Sequence, residues 1–174
     1  MNLIQELKSK IKGDVLSDPE ILNTYSHDAS IFEVKPQFVV FPKDIDDVKS
    51  LVKFVNEHKK DYPELSLTAR SAGTDMGGGP LNDSIIVGFE KYFNHIKLIE
   101  ENPVQPLAIV EPGVFYRDFE KEILKYNLLF PSYPASKDIC AIGGIINNNS
   151  GGEKSLKYGK TQKYVKALKV VLSD

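Results

Sequence analysis

Residues 66–80 read SLTARSAGTDMGGGP, a short strand-forming run followed at once by a glycine-rich loop. The glycines and the small residues Ser71 and Ala72 allow positive φ and leave no bulky side chain that would hold a ligand away. Successive backbone N–H groups in such a loop can converge on a phosphate or pyrophosphate. The glycine spacing fits neither the Walker pattern nor the Rossmann fingerprint. The loop is therefore a candidate anion site, with an ordinary glycine-rich surface loop as the alternative.

The residues before this loop predict a βαβ unit. The continuous apolar run FVVF at 38–41 is typical of a buried strand. Asp44 is a helix N-cap, and the apolar spacing after it predicts a helix up to about His58. Residues 66–69 form the next strand, so the first sheet is at least partly parallel. Two short helices, over 2–12 and from Pro19, precede this unit.

The residues after the loop predict the rest of the first lobe and the beginning of a second. Strands are expected at 84–88, 96–99 and 107–110, then a helix from Phe115 to about Asn127. An irregular stretch at 130–163 and a final strand at 165–172 follow. The polar, proline-bounded segment 101–106 divides a first lobe, 1–106, from the beginning of a second lobe, 107–174. The predicted fold class is α+β: a small mixed βαβ lobe followed by the start of a second sheet-and-helix lobe, incomplete at the C-terminus.

A second candidate segment lies in the irregular stretch, as PSYPAS at 131–136 and CAIGGIINNNSGG at 140–152, followed by Tyr158 and Gly159. Long connections without structure are unusual in compact domains unless they serve a function. This one is too apolar at Ile142 and Ile145 to be simply solvated. A buried turn of small residues lined by amides and hydroxyls suits a flat polar ligand. An irregular, asparagine-rich connection is the alternative.

Composition excludes several function classes. The 22 basic and 24 acidic residues of the 174 leave a net charge of −2, which recommends neither nucleic acid nor anionic lipid as a partner. No apolar run is long enough for a transmembrane segment, and the N-terminus lacks a signal-peptide core, so a cytoplasmic protein is expected. A single cysteine excludes an internal disulfide or a cysteine-based metal cluster. The three histidines have no partner at metal-ligand spacing, so no metal site is predicted.

Together the two segments resemble the FAD-binding domain of the p-cresol methylhydroxylase/vanillyl-alcohol oxidase superfamily. Within it, the chain is most similar to the branch of glycolate oxidase FAD subunits, D-lactate dehydrogenases and D-2-hydroxyglutarate dehydrogenases. Ser71 and Ala72 depart from this branch, which usually has two glycines there. The residues that match the branch's motifs, in order, are Arg70, Gly73, Thr74, Gly78, Gly79, Pro134, Cys140, Ile142, Gly143, Gly144, Asn149, Gly151, Gly152, Tyr158, Gly159 and the segment 170–174.

The resemblance implies that the chain binds FAD. The loop 70–79 resembles the pyrophosphate cradle, 134–136 and 140–144 the segments beside the ribityl and isoalloxazine, and 148–151 another part of the flavin-binding wall. The cofactor-binding residues that follow are Arg70, Ser71, Ala72, Gly73, Thr74, Asp75, Gly78, Gly79, Pro134, Ala135, Ser136, Cys140, Gly143, Gly144, Asn148, Asn149, Ser150, Gly151 and Tyr158.

The resemblance also implies how FAD is held. Thr74 stands where some relatives carry a histidine bonded to flavin, so non-covalent FAD is expected. Cys140 differs in its spacing from the relatives that have a cysteinyl-flavin bond, and a small buried hydrophobe is its expected role.

The implied activity is flavin-dependent oxidation of a small 2-hydroxy acid of the D-lactate or glycolate type, by hydride transfer to flavin. In this family the substrate carboxylate is held, and the base supplied, mostly by later parts of the protein, so no catalytic base is named. A downstream domain or a partner chain is expected to complete the flavin site. Two other hypotheses stay open. One is a flavin-binding module or fragment without activity of its own, and the other is a phosphate- or nucleotide-binding protein whose resemblance to the oxidases is historical.

Overall fold

A computed structural model of the chain describes residues 3–100, 102 and 104–173. Asn2 of the first predicted helix, Glu101 and Pro103 of the predicted seam, and Asp174 of the last matching segment lie outside the described residues. The elements follow in the order α1 (Leu3–Lys10), β1 (Asp14–Leu16), α2 (Pro19–Tyr25), β2 (Phe38–Phe41), α3 (Ile45–His58), β3 (Leu67–Arg70), β4 (Ile85–Gly88), β5 (Ile96–Glu100), β6 (Leu107–Val110), α4 (Tyr116–Leu124), α5 (Ile142–Asn147), α6 (Ser155–Tyr158) and a 3-10 turn (Thr161–Lys163).

The first sheet is mixed, with strand order β1-β2-β4-β3. Strand β4 lies in the middle and is parallel to β2 and to β3, whereas β1 is antiparallel to β2. All four residues of β4 are buried, as expected of a strand that has a neighbour on both sides. Helix α3 therefore crosses from β2 to β3 over the position of β4. The predicted βαβ unit and the prediction of an at least partly parallel first sheet are confirmed.

Helix α3 is fixed by two aspartates at its start. The Asp44 carboxylate accepts the N–H groups of Asp46 and Asp47, both at 3.0 Å, as an N-cap does. The buried Asp47 carboxylate accepts three more backbone N–H groups, from Lys12, Gly13 and Lys43, each at 2.9 Å. These bonds attach the chain before β1 and the chain after β2 to the start of α3. One hydrophobic core lies between this helix, α1 and the sheet, and contains Leu7, Ile11, Val15, Val40, Leu51, Phe54, Leu65, Ile85 and Val87.

A second core lies under the antiparallel hairpin β5–β6 and helix α4. It contains Val114, Tyr116, Phe119, Ile123, Tyr133, Cys140, Ile142 and Ile145. Ile96 and Ile99 of β5 pack against this second core and not against the first. Strand β5 thus packs with the second core, and the division of the lobes at residue 106 stays a prediction.

The prediction of a final strand at 165–172 is wrong. The backbone of 165–173 forms no strand, because no other strand of the described residues lies beside it to complete a ladder. The end of the segment instead lies against α3, where the Asn56 Nδ2 donates to the Ser173 carbonyl at 2.5 Å. A groove beside that helix is lined by Val52, Val171 and Leu172.

The stretch 130–163, predicted to be irregular, contains α5, α6 and the 3-10 turn. Helix α5 forms despite its two glycines because Ile142 and Ile145, three residues apart on one face, are buried in the second core. Among the described residues, no helix is both long enough and apolar enough to cross a membrane.

Candidate functional site

The glycine-rich loop leaves the carboxyl end of β3, at the edge where the parallel strands β2, β3 and β4 all end. In open α/β sheets, ligands bind at this edge of the sheet. The second candidate segment reaches the same place through α5. The fold therefore brings the two predicted segments together, although 50 residues of sequence lie between Pro80 and Pro131.

The two segments meet at Pro112. The Ser71 hydroxyl donates to the Pro112 carbonyl at 3.1 Å, and the Gly143 N–H donates to the same oxygen at 2.8 Å. A Cβ at Gly143 would lie 2.7 Å from the Ser71 Oγ and 2.8 Å from the Pro112 Cβ. Only a glycine therefore fits at 143 without moving the loop, Pro112 or α5.

The first half of the loop has unused hydrogen-bond donors. The N–H groups of residues 71–74 donate no hydrogen bond to any residue that the structure describes. Within this run Gly73 has a φ of 68°, in the left-handed region that favours glycine. Four successive N–H groups without an internal partner, around a positive φ, are available to bind an anion, as in a backbone anion site.

The second half of the loop is closed by its own carboxylate. The Asp75 carboxylate accepts the N–H groups of Gly77 at 3.0 Å and Gly79 at 2.9 Å. Its other oxygen accepts the Asn148 Nδ2 at 3.3 Å, which links the loop to the second segment. The bond from the Gly79 N–H, followed by those from Gly77 and Asn148, holds the pKa of Asp75 below its ordinary value, so this residue stays ionised. An anionic ligand therefore fits the 71–74 half of the loop and not the Asp75 half.

Helix α5 forms a wall beside the loop. A Cβ at Gly144 would meet nothing within 4 Å, so this face of α5 borders open space next to the crowded position of Gly143. Cys140, directly before the helix, is 4% exposed, and burial raises the pKa of its thiol. The thiol of Cys140 is thus protonated and enclosed in the second core.

The asparagine-rich turn after α5 is held from behind by the 3-10 turn. Asn149, with a φ of 45°, exchanges two 2.9 Å hydrogen bonds with Gln162. The Ser150 carbonyl accepts both the N–H and the hydroxyl of Thr161. Gly151 follows, packed against Ser155. These contacts fix 148–151 close to the loop through Asn148.

Other predicted site residues make no hydrogen bond to the loop in the part of the chain that the structure describes. No hydrogen bond joins 134–136 to 70–79 among the described residues. Pro134 and Ser136 cap local turns, the Ser136 carbonyl accepting the Cys140 N–H at 2.9 Å, and Ala135 is exposed. Tyr158 is 42% exposed on α6, under the ammonium of Lys157.

Sequence reasoning missed four residues that contact the loop or its base. Phe32 is close enough to Gly78, whose φ is 79°, that a Cβ there would lie 3.1 Å from its ring. Tyr25 packs on the guanidinium of Arg70, Glu90 binds Tyr25, and Pro112 joins the two segments. Only Pro112 had a signal in the sequence, as part of the run VEPG at 110–113.

The chain is similar in sequence to several known proteins. A family model of the FAD binding domain matches residues 36–174. D-2-hydroxyglutarate dehydrogenase of Escherichia coli (strain K12) is 32% identical over 173 residues, covering 99% of this chain and 17% of that protein. Glycolate oxidase subunit GlcD of Bacillus subtilis (strain 168) is 35% identical over 153 residues, covering 86% of this chain and 31% of that protein. The chain thus spans less than a third of the length of either relative.

Solved structures show the same fold at low sequence identity. An alkyldihydroxyacetonephosphate synthase superposes with a TM-score of 0.75 at 18% identity, covering 92% of this chain and 31% of that one. Substrate-bound p-cresol methylhydroxylase superposes with a TM-score of 0.67 at 24% identity, covering 85% of this chain and 29% of that one.

Proposed function

The chain belongs to the FAD-binding domain family, and from that premise we propose that it binds FAD non-covalently, with the pyrophosphate in the 71–74 half of the glycine-rich loop. The observation that carries this proposal is the run of four backbone N–H groups without an internal partner at the carboxyl edge of a parallel sheet. Such donors bind an anion by hydrogen bonds and by their partial positive charge.

The surroundings of the loop support an extended dinucleotide rather than a free phosphate. The bond between Asn148 and Asp75 and the shared contact at Pro112 make the loop and α5 two walls of one site. The open space at Gly144 lies along the second wall, where a flat ring system has room. The loop would hold the pyrophosphate, and the α5 wall would border the flavin.

Two observations support non-covalent binding. Thr74 carries a hydroxyl group, whereas some relatives that this chain resembles carry at the matching position a histidine bonded to flavin. The Cys140 thiol is enclosed and its pKa is raised by burial, whereas the reactive form of cysteine is the thiolate.

The names of two relatives support an oxidoreductase acting on a small 2-hydroxy acid of the D-lactate or glycolate type. One is the glycolate oxidase subunit described above, and the other is a D-lactate dehydrogenase of Archaeoglobus fulgidus, 33% identical over 138 residues. Bound flavin supplies the hydride acceptor for such an oxidation. The described residues of this chain would bind and orient that group. None of the three histidine rings, all of which the structure describes, hydrogen-bonds to the loop. His27 contacts Ser26 and Glu33. His58 contacts Phe54 and Glu6, and His95 contacts Glu111.

That placement favours a second candidate, a flavin-binding module that needs a further domain or a partner chain for turnover. The two candidates are separated by dye reduction. A purified chain carrying flavin that reduces an electron-accepting dye with D-lactate or glycolate supports the enzyme. Flavin content without dye reduction supports the module, and a colourless chain that takes up no added FAD contradicts both. Flavin that remains in the protein pellet after acid precipitation contradicts non-covalent binding.

A further inference from the structure

A group of polar side chains lies beneath the glycine-rich loop and has no place in the proposed contacts with FAD. It consists of Tyr25 at the end of α2, Asp28, Arg70 at the end of β3, and Glu90 after β4, and is called here the Arg70 cluster. Tyr25 and Asp28 come from one part of the chain, and Arg70 and Glu90 come from two others. Arg70 is the member that leads directly into the loop.

The Arg70 guanidinium is held between Tyr25 and the loop backbone. Its Cζ lies 4.9 Å from the centre of the Tyr25 ring, and its Nη1 donates to the Tyr25 carbonyl at 3.4 Å. A Cβ at Gly73 would lie 2.4 to 2.7 Å from three guanidinium atoms. The backbone of Gly73 therefore rests directly on the guanidinium, and a larger residue would separate them.

Glu90 fixes Tyr25 from the other end of its side chain. The Tyr25 hydroxyl donates to the Glu90 Oε1. The edge of the Tyr25 ring also contacts Phe41 of β2, with 5.6 Å between ring centres. The aromatic surface that carries Arg70 is therefore fixed by a hydrogen bond at one end and by packing along its side.

Burial of the Arg70 cluster costs desolvation free energy that its hydrogen bonds do not fully offset. The Glu90 Oε2 and the Asp28 Oδ2 are buried with no hydrogen-bond partner among the described residues, and the guanidinium makes one long hydrogen bond. Burial raises the pKa of Glu90 and lowers that of Arg70, while Tyr25, Glu90 and Asp28 oppose the second effect. Buried charges without full hydrogen bonding contribute little to stability. A role other than stability is therefore expected of them.

We propose that Arg70 is a positioning residue for anion binding: its guanidinium, seated on Tyr25 and beneath Gly73, holds the 71–74 N–H groups in the geometry that receives the pyrophosphate. This inference rests on the proposed function. It assigns to the Arg70 side chain an action through the loop and not a direct bond to the ligand. Lysine at this position keeps the charge but has no planar group to lie on the Tyr25 ring or to support Gly73.

The test compares ligands that contain the pyrophosphate with one that does not. FAD, ADP and riboflavin are titrated into the wild-type chain and into Arg70→Lys, Arg70→Met, Tyr25→Leu and Tyr25→Phe, with thermal unfolding recorded for each variant. Arg117→Lys is the matched control, because Arg117 also stacks on an aromatic ring, that of Phe115 at 4.3 Å, on the exposed face of α4.

The expected result is a loss of about tenfold or more in affinity for FAD and ADP in Arg70→Lys, Arg70→Met and Tyr25→Leu, because a loop that is no longer preorganised has to be ordered when the ligand binds. Riboflavin affinity stays unchanged, Tyr25→Phe keeps most of the FAD affinity because the ring remains, and Arg117→Lys behaves as wild type.

Three outcomes overturn the inference. If Arg70→Lys binds FAD as wild type does while Arg70→Met does not, the charge acts alone. If riboflavin affinity and thermal stability fall together with FAD affinity, the cluster is merely structural. If none of the variants is weakened although the wild-type chain binds FAD and ADP, only this inference fails. A wild-type chain that binds neither FAD nor ADP instead overturns the proposed function, and this inference with it.

Discussion

Gly143 and Gly144 are adjacent in the first turn of α5, yet the structure gives them opposite surroundings. A Cβ at Gly143 would lie 2.8 Å from the Pro112 Cβ and 2.9 Å from the Pro112 carbonyl oxygen, neither of which belongs to a flexible side chain. A Cβ at Gly144 would meet nothing within 4 Å. Replacing each by alanine adds the same methyl group to the same helix, so the two variants control for each other.

The magnitudes follow from these distances. Alanine instead of glycine within a helix gains about 0.5–1 kcal/mol, so Gly144→Ala is expected to raise the free energy of unfolding by up to that amount. Gly143→Ala has the same gain, but forcing an extra carbon into a packed junction costs about 1–3 kcal/mol. The net result at Gly143 is a loss of between about 0 and 2.5 kcal/mol. For a chain of this size each kcal/mol shifts the melting temperature by about 2–4 °C.

The assay is urea unfolding of both variants, followed by titration with FAD. Gly143→Ala should be less stable than wild type, and Gly144→Ala at least as stable. Because the open space at Gly144 is proposed to border the flavin, Gly144→Ala should nevertheless bind FAD less tightly, by about tenfold if the methyl group costs over 1 kcal/mol of contact. Equal stability of the two variants would refute the close approach at Pro112. Wild-type FAD affinity in Gly144→Ala would remove α5 from the site.

Three further predictions concern the loop, the first sheet and the cysteine. Gly78→Val should lower the free energy of unfolding by about 1–2 kcal/mol or more, because valine disfavours the left-handed backbone and its Cβ would press on Phe32; wild-type stability in this variant would contradict the close approach of Phe32 to the loop. The hydrogen bond from Lys91 holds the pKa of Asp14 below its ordinary 3.8, so its contribution to stability is complete above that pH and is lost as the pH falls below it. In Asp14→Asn, the free energy of unfolding measured in urea should therefore decrease less than in wild type as the pH falls below 3.8. The difference should be less than about 1 kcal/mol, since the pair is half-exposed. The same pH dependence in both proteins would contradict the role of this pair. Cys140→Ala should keep its FAD, released by denaturation as in wild type; loss of flavin in a folded variant would contradict the non-covalent assignment.

Much of the fold follows from local sequence patterns. Asp44 and the apolar spacing after it predict α3 with its observed end at His58, and 107–110 is the observed strand β6. Strand β1 was missed because only Val15 of its three residues is buried, which gives no periodicity to detect. Helix α5 was missed because paired glycines argue against a helix, and its formation depends on burial in the second core.

Contacts between distant segments could not be predicted from local patterns. The composition of 70–79 predicts a loop with available N–H groups, but the closure of its second half by Asp75 depends on side-chain geometry. The contact of the Arg70 guanidinium with Tyr25 joins residues 45 positions apart. The segment 165–172 alternates as a strand does, yet alternation predicts only which face is apolar, and a strand also needs a neighbour.

The most direct test of the account is a calorimetric titration of FAD into the purified chain, repeated in the presence of ADP. The account predicts one FAD per chain and competition by ADP, because both ligands place a pyrophosphate on the N–H groups of residues 71–74. Absence of FAD binding, or FAD binding that ADP does not weaken, would contradict the assignment of the glycine-rich loop as the pyrophosphate site.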